Sequence, residues 1–159
     1  MSMETLAENV VVALKEKELK VAFAESCTGG MVSAAITSVV GSSDVFDMSI
    51  VTYSNLAKTE YTDVTDEILS LHGAVSEETA VLMASGIRKR SKSDIGIGIT
   101  GFASGDDNEK SSGTVYIALA YKKDVTCKHF LFSGDRQSVR TQATMEALNM
   151  LKTIDIRQN

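Results

Sequence analysis

Proline is absent from all 159 residues, and so is tryptophan. Without proline, every turn has to be made by Gly, Asn, Asp and Ser. Histidine occurs only twice, as His72 and His129, and cysteine only twice, as Cys27 and Cys127. No HxxxH, HExxH or CxxC pattern can be built from them. That argues against a zinc centre, and neither a metal nor a cofactor is expected. Two cysteines far apart, in a chain with no secretory features, read as free thiols in a reducing, cytoplasmic compartment. No apolar run approaches the roughly 18–20 residues that a membrane helix needs. An excess of positive charge is missing too. The net charge is −5, which argues against a general nucleic-acid binder. The basic clusters at Lys15–Lys20 and Arg88–Lys92 fall at expected helix ends, where Lys and Arg are ordinary.

What remains is a soluble globular composition, 43% hydrophobic and 23% charged, at the length of one ordinary domain. The first residues, "MSMETLAENVVVALKEKELK", carry acids early and lack a small-residue cleavage site, so they read as an amphipathic helix and not as a signal peptide. "KVAFAES" follows as a short buried strand, and residues 28–39 resume a helical pattern of small residues. "GSSDVF" is a turn, and "DMSIVTYS" is expected to run as a strand from about Phe46 to Tyr53. Thr65 before Asp66 and Glu67, and Ser76 before Glu77 and Glu78, mark two helix starts. "SDIGIGITG" is a strand with Ile95, Ile97 and Ile99 on one side and Gly96 and Gly98 on the other, as if another element approaches closely. "TVYIALAY" and "VTCKHFLF" are strands joined by "KKD" as an antiparallel hairpin. The last segment is an amphipathic helix with Val139, Ala143, Ala147 and Leu151 stepping by four.

The expected order is α, β, α, β, α, α, β, β, β, α, a three-layer α/β/α sandwich around a mixed, mostly parallel sheet. Ligands of such sheets bind beyond the carboxyl ends of the parallel strands, where Ser26, Tyr53 and Thr100 fall. Ser26 leaves a buried strand and enters a turn containing Gly29 and Gly30. A serine there either caps the next helix or serves as a nucleophile whose neighbouring amides bind a phosphate or an oxyanion. A nucleophilic serine needs a base. His72 and His129 have no sequence link to Ser26. Lys58 in "VTYSNLAKTEY" is the other base, provided burial lowers its pKa, with Tyr53 relaying a proton or orienting it. Otherwise Lys58 is a surface lysine and Tyr53 a packing aromatic. Cys27 is a competing nucleophile, or a small buried hydrophobe. Neighbours leaving a strand point apart, so only one of Ser26 and Cys27 can face a cleft. Thr100 and Gly101 end a strand whose amides could cradle an anion. Asp135 is placed to cap the last helix, and Arg136 and Arg140 in its first turns suit phosphate or solvent.

Together, "AESCTGG" at 24–30, "GSSDVF" at 41–46, "VTYSNLAK" at 51–58, "HGAVSEETA" at 72–80, "TG" at 100–101, "GTVYIALA" at 113–120 and "GDRQSVR" at 134–140 resemble the CinA C-terminal domain family. Its characterised members are nicotinamide-nucleotide amidohydrolases (PncC type). The resemblance covers nearly the whole chain and implies a single domain over 1–159. It implies hydrolysis of the carboxamide of nicotinamide mononucleotide (NMN) to nicotinate mononucleotide and ammonia, within pyridine nucleotide recycling. It further implies Ser26 as nucleophile with Lys58 and Tyr53 as its partners, amides near Gly29 and Gly30 for the oxyanion, and Cys27 as packing. Thr28, Gly29, Gly30, Thr100, Gly101 and Arg136 are then the expected substrate-binding residues. A homo-oligomer is the expected assembly, with no nucleic-acid or membrane partner. Larger members carry an additional N-terminal nucleotide-pyrophosphatase-like domain, which 159 residues are too few to hold.

One segment departs from the family pattern. After "TG", members usually continue with a proline- and glycine-rich loop, whereas this chain reads "FASGDDNEK". Asp106 and Asp107 there would oppose an anionic ligand. A pyridine-nucleotide-binding paralogue with little or no catalysis is the alternative that this loop raises.

Overall fold

The computed structural model describes residues 1–104 and 112–155. Asp106 and Asp107 lie outside the described residues. Among these described residues, five strands and six α-helices form three layers. The strands are β1 (Val21–Glu25), β2 (Phe46–Val51), β3 (Ile95–Gly101), β4 (Thr114–Tyr121) and β5 (Asp124–Leu131). They lie in the order β2-β1-β3-β4-β5. β1 pairs in parallel with β2 and β3, β4 runs antiparallel to β3, and β5 is antiparallel to β4. Four of the five strands therefore run in one direction, and the expected mixed, mostly parallel sheet is the one observed. The "KKD" hairpin closes with Lys122 at φ 54°.

The layers follow from strand alternation. Val21, Phe23, Ile95, Ile97, Ile99, Val115, Ile117 and Leu119 form one core. They pack with buried residues of α1 (Met3–Glu16), α2 (Met31–Thr37) and α6 (Arg136–Lys152). In α6, Val139, Ala143, Ala147 and Leu151 are all buried, as their spacing implies. The opposite face holds Ala22 and Ala24 against Met83 and Ile87 of α5 (Glu77–Ser91), and Ala118 and Ala120 against its Ala80 and Ala84.

This second face is built of small residues because α5 lies almost on the strands. A Cβ added at Gly98 would stand 2.4 Å from the Ala80 carbonyl oxygen and 2.6 Å from the Ala84 nitrogen. One at Gly96 would stand 2.2 Å from the Ala84 carbonyl oxygen. The alternation of isoleucine and glycine is thus a packing code, with bulk toward one layer and bare backbone toward the other.

Two boundaries and one element differ from the sequence expectation. α2 begins at Met31, because Ser26–Gly30 forms a turn with Gly29 at φ 58° and Gly30 at φ 98°. β2 ends at Val51, although Thr52 still donates its amide to the Glu25 carbonyl at 2.9 Å. A further helix, α3 (Asn55–Tyr61), precedes α4 (Asp66–His72), so three helices stand between β2 and β3 where two were expected. Seven residues are too few to display a helical period. The start of α3 is nonetheless marked by Ser54, whose hydroxyl accepts from the Ala57 amide at 3.0 Å. Thr65, Ser76 and Asp135 cap α4, α5 and α6 as expected. Among the described residues no helix is long and apolar enough to cross a membrane.

The close approach of α5 is testable. Gly98→Ala is expected to lower stability by about 1–3 kcal/mol, because the new methyl meets backbone atoms that cannot yield separately. Urea unfolding measures this, and an unchanged midpoint would contradict the packing described.

Candidate active site

The strand β1 ends in three residues that part company. Cys27 turns into the core shared with α1 and α6. Ser26 turns to the face covered by α3 and α5. Glu25 turns toward α2 and is fully buried. The sheet pairing carries on for one step beyond the strand, with the Ser26 amide donating to the Ile99 carbonyl at 3.0 Å.

Lys58 comes from the first turn of α3 and is 2% exposed. Its Nζ lies 3.0 Å from Ser26 Oγ, 2.7 Å from the Thr52 carbonyl oxygen and 3.3 Å from the Tyr53 carbonyl oxygen. Among the described residues no carboxylate pairs with it. Burial is the main influence on the amine and brings its pKa from the ordinary 10.5 down to about 8. Two carbonyls and one hydroxyl suit both protonation states. Charged, the amine donates to all three. Neutral, it keeps two hydrogens on the carbonyls and directs its lone pair at Ser26 Oγ.

The strand ends bring the rest together. A cavity of about 220 Å³ is lined by Ser26, Cys27, Tyr53, Lys58, Thr100, Gly101, Phe102, Ser104 and Arg136, with Ala74 and Val75 from the α4–α5 connection. Thr100 Oγ1 donates to the Ala74 carbonyl at 2.6 Å, tying that connection to β3. A Cβ at Gly101 would lie 2.7 Å from the Thr114 carbonyl oxygen, so the close backbone pairing at this end requires glycine. Arg136 spans the mouth, donating to Tyr53 Oη at 3.1 Å and Ser104 Oγ at 3.0 Å. Tyr53 therefore meets Lys58 through its backbone carbonyl, while its exposed ring and hydroxyl reach Arg136.

Other expected residues sit differently. Thr28, Gly29 and Gly30 do not line the cavity. The Thr28 hydroxyl donates to Glu25 Oε2 at 2.7 Å, the Gly29 amide to the Ser26 carbonyl at 3.1 Å and the Gly30 amide to Glu25 Oε2 at 3.0 Å. These groups hold the turn together and are engaged within it. Cys27 is 5% exposed, and desolvation first of all pushes its thiol up to about 11, which disfavours the thiolate. His72 pairs with Glu78 at 3.4 Å and His129 stacks on Tyr116 at 4.6 Å between ring centroids. Neither lines the cavity. Among the described residues, no group of three or more His, Cys, Asp or Glu could hold a metal ion.

Glu25 is the residue that the sequence reading passed over. Its oxygens also accept from the Val32 amide at 3.1 Å, the Ser33 amide at 2.9 Å and Ser49 Oγ at 3.3 Å. An acid at the end of the apolar run "VAFAE", just before a short helix, was the available signal for an internal cap.

Lys58 makes stability depend on pH in a defined direction. Its folded pKa lies below its unfolded one, so between about pH 8 and 10.5 the unfolded chain holds the extra proton. The destabilisation that Lys58 imposes is complete below that window and relaxes through it. Urea midpoints of wild type and Lys58→Met, compared from pH 7 to pH 10, are expected to move in favour of wild type by about 2 kcal/mol. A pH-independent difference would show that the amine is not depressed.

The comparisons with known proteins agree with this architecture. Residues 3–154 match the family model described as CinA C-terminal domain. A CinA-like protein of Syntrophus aciditrophicus is 47% identical over 152 residues, covering 94% of this chain and 36% of that protein. A putative competence-damage inducible protein of Caldicellulosiruptor bescii is 44% identical over 151 residues, covering 94% and 37%. The chain thus spans little more than a third of the length of these curated relatives. Among solved structures, the competence damage-inducible protein A of Klebsiella pneumoniae superposes with a TM-score of 0.95 at 32% identity, covering 99% of this chain and 100% of that one. A competence/damage inducible protein of Agrobacterium tumefaciens superposes with a TM-score of 0.90 at 36% identity, covering 95% and 97%. With a family model matched over nearly its whole length and a fold shared end to end, the chain belongs to the CinA C-terminal domain family.

Proposed function

We propose that this protein is a serine amidohydrolase that removes the carboxamide nitrogen of nicotinamide mononucleotide, releasing ammonia and nicotinate mononucleotide. The observation that carries the reading is the 3.0 Å contact between Lys58 Nζ and Ser26 Oγ, made inside the fold by an amine whose pKa is brought down to about 8. A buried lysine with no carboxylate partner among the described residues is costly, and a lowered pKa is what a general base near neutral pH requires.

In this reading neutral Lys58 takes the Ser26 proton as Oγ attacks the carboxamide carbon. The carbonyls of Thr52 and Tyr53 retain the two amine hydrogens and keep the lone pair aimed at Ser26. The tetrahedral intermediate collapses as Lys58 returns the proton to the leaving nitrogen, so ammonia departs and the acyl group stays on Ser26. Water then repeats the sequence. Lys58 takes its proton, the hydroxyl adds to the acyl carbon, and Ser26 leaves as the free alcohol with the proton returned.

Arg136 at the mouth supplies a cation for an anionic substituent such as the substrate phosphate, exchanging its bonds to Tyr53 and Ser104 for it. The choice of nicotinamide mononucleotide rests on the family resemblance, and the amide chemistry rests on the Ser26–Lys58 pair.

Ammonia release from nicotinamide mononucleotide tests both. Ser26→Ala and Lys58→Met are each expected to lower kcat by at least about 1,000-fold, while Cys27→Ala retains most activity. Turnover that survives Ser26→Ala would exclude the mechanism. For the wild type, kcat/KM is expected to rise with pH through a midpoint near 8, because only the neutral amine accepts the serine proton. A profile flat from pH 6 to pH 9 would point to a different base.

A further inference from the structure

The amides of Gly29 and Gly30 are spent within the turn, so another pair must serve if Ser26 attacks a carbonyl. The amides of Cys27 and Thr28 have no oxygen acceptor among the described residues, and the Cys27 amide donates to its own thiol. They follow the nucleophile directly, and Cys27 borders the same cavity as Ser26 and Lys58.

Their directions are set through the opposite ends of their peptide planes. A trans peptide is flat, so its C=O and N–H point in opposite directions. The Ser26 carbonyl is tied down by the Gly29 amide at 3.1 Å, which sends the Cys27 N–H the other way. The Cys27 carbonyl is tied down by Arg140 Nε at 3.0 Å, which sends the Thr28 N–H away from α6. Arg140 Nη2 also holds the Thr28 carbonyl at 3.2 Å, and Nη1 donates to Gln137 Oε1 at 3.1 Å. The turn has little room to avoid this grip, since a Cβ at Gly29 would lie 3.3 Å from Arg140 Nη2. On its other side Glu25 holds the amides of Gly30, Val32 and Ser33 and the hydroxyl of Thr28. A guanidinium holds the carbonyls of Cys27 and Thr28, a carboxylate holds the amides of Gly30, Val32 and Ser33, and among the described residues the amides of Cys27 and Thr28 are left without an oxygen acceptor.

We propose that Arg140 is a positioning residue, which with Glu25 aims the amides of Cys27 and Thr28 at the oxyanion formed when Ser26 attacks. This rests on Ser26 being the nucleophile. It assigns Arg140 to the turn, although the residue stands one helical turn from Arg136, which lines the cavity mouth.

Two substrates separate the roles. Nicotinamide mononucleotide reads the whole site, while 4-nitrophenyl acetate needs Ser26 and an oxyanion hole but no nucleotide recognition. Arg140→Gln is expected to lower kcat about 10- to 100-fold on both, with KM for the nucleotide changed less than about threefold. Arg140→Lys, which reaches one carbonyl at a time, falls between. Added guanidinium ion restores part of the kcat of Arg140→Ala. Glu25→Gln, which sets an amide NH2 against backbone donors, lowers kcat in the same way per folded molecule, with folding followed by circular dichroism. Unchanged kcat in Arg140→Gln alongside a Ser26-dependent wild type overturns the proposal. A loss confined to KM for the nucleotide, with ester hydrolysis intact, overturns it by making Arg140 a substrate ligand. Losses that vanish once corrected for folded protein reduce Arg140 to a structural role and overturn it too. Ester or amide turnover that survives Ser26→Ala overturns the reading of Ser26 itself, and this proposal with it.

Discussion

The carboxylate of Glu25 organises the centre of this fold. It is buried completely, and among the described residues no lysine or arginine pairs with it. Three backbone amides and two hydroxyls surround it instead. A buried acid left without such partners costs several kcal/mol, so the turn after β1 and the start of α2 must arrange themselves around it. Gly29 and Gly30, both at positive φ, let the chain double back far enough for amides five to eight residues downstream to reach it. Ser49 brings β2 to the same point. One acid thereby joins two strands and a helix, and the next residue in the chain is Ser26.

That adjacency fixes the direction in which Ser26 points. Successive residues at a strand end face opposite ways, so anchoring Glu25 toward α2 and Cys27 in the core commits Ser26 to the remaining face. There Lys58 meets it from α3. Lys58 is one of the largest fully buried side chains, and its three polar contacts replace the water it has lost. Two of those contacts are carbonyls of the residues that lead from β2 into α3. The Ser54 cap that ends that lead-in also sets where Lys58 falls on its helix. Ser26 and Lys58 are therefore each fixed by the end of a strand and the beginning of the helix after it. Neither depends on a long loop.

Much of this could be read from residue order. The strands announce themselves by apolar runs and by the Ile-Gly alternation of β3, and the caps Thr65, Ser76 and Asp135 by their place before a helix. Ser26, Tyr53 and Thr100 could be placed at strand ends by the same reasoning, and the cavity is lined by all three. Helix α3 escaped because two turns show no period. Glu25 escaped because an acid inside an apolar run is read as an exception and not as an anchor. The contact of Lys58 with Ser26 joins residues 32 apart in sequence. It depends on strand order, with β2 beside β1, which local pattern cannot supply. Tyr53 shows the same limit. Its position was evident, but whether its ring or its carbonyl faces Lys58 depends on one φ/ψ pair at the end of β2.

The two buried groups Glu25 and Lys58 stand on opposite sides of one strand end and do not pair. Had they paired, the carboxylate would have favoured the charged amine, and the lysine would have kept its proton tightly. Glu25 is instead satisfied by amide dipoles and hydroxyls, while the described partners of Lys58 are oxygens that also suit the neutral amine. The sheet between them keeps acid and base apart. The Thr52 hydroxyl beside this site is also buried, with no hydrogen-bond partner among the described residues, a cost of about 1–3 kcal/mol in a protein interior. A desolvated lysine and an orphaned hydroxyl on neighbouring elements mark a place where the fold gives up stability.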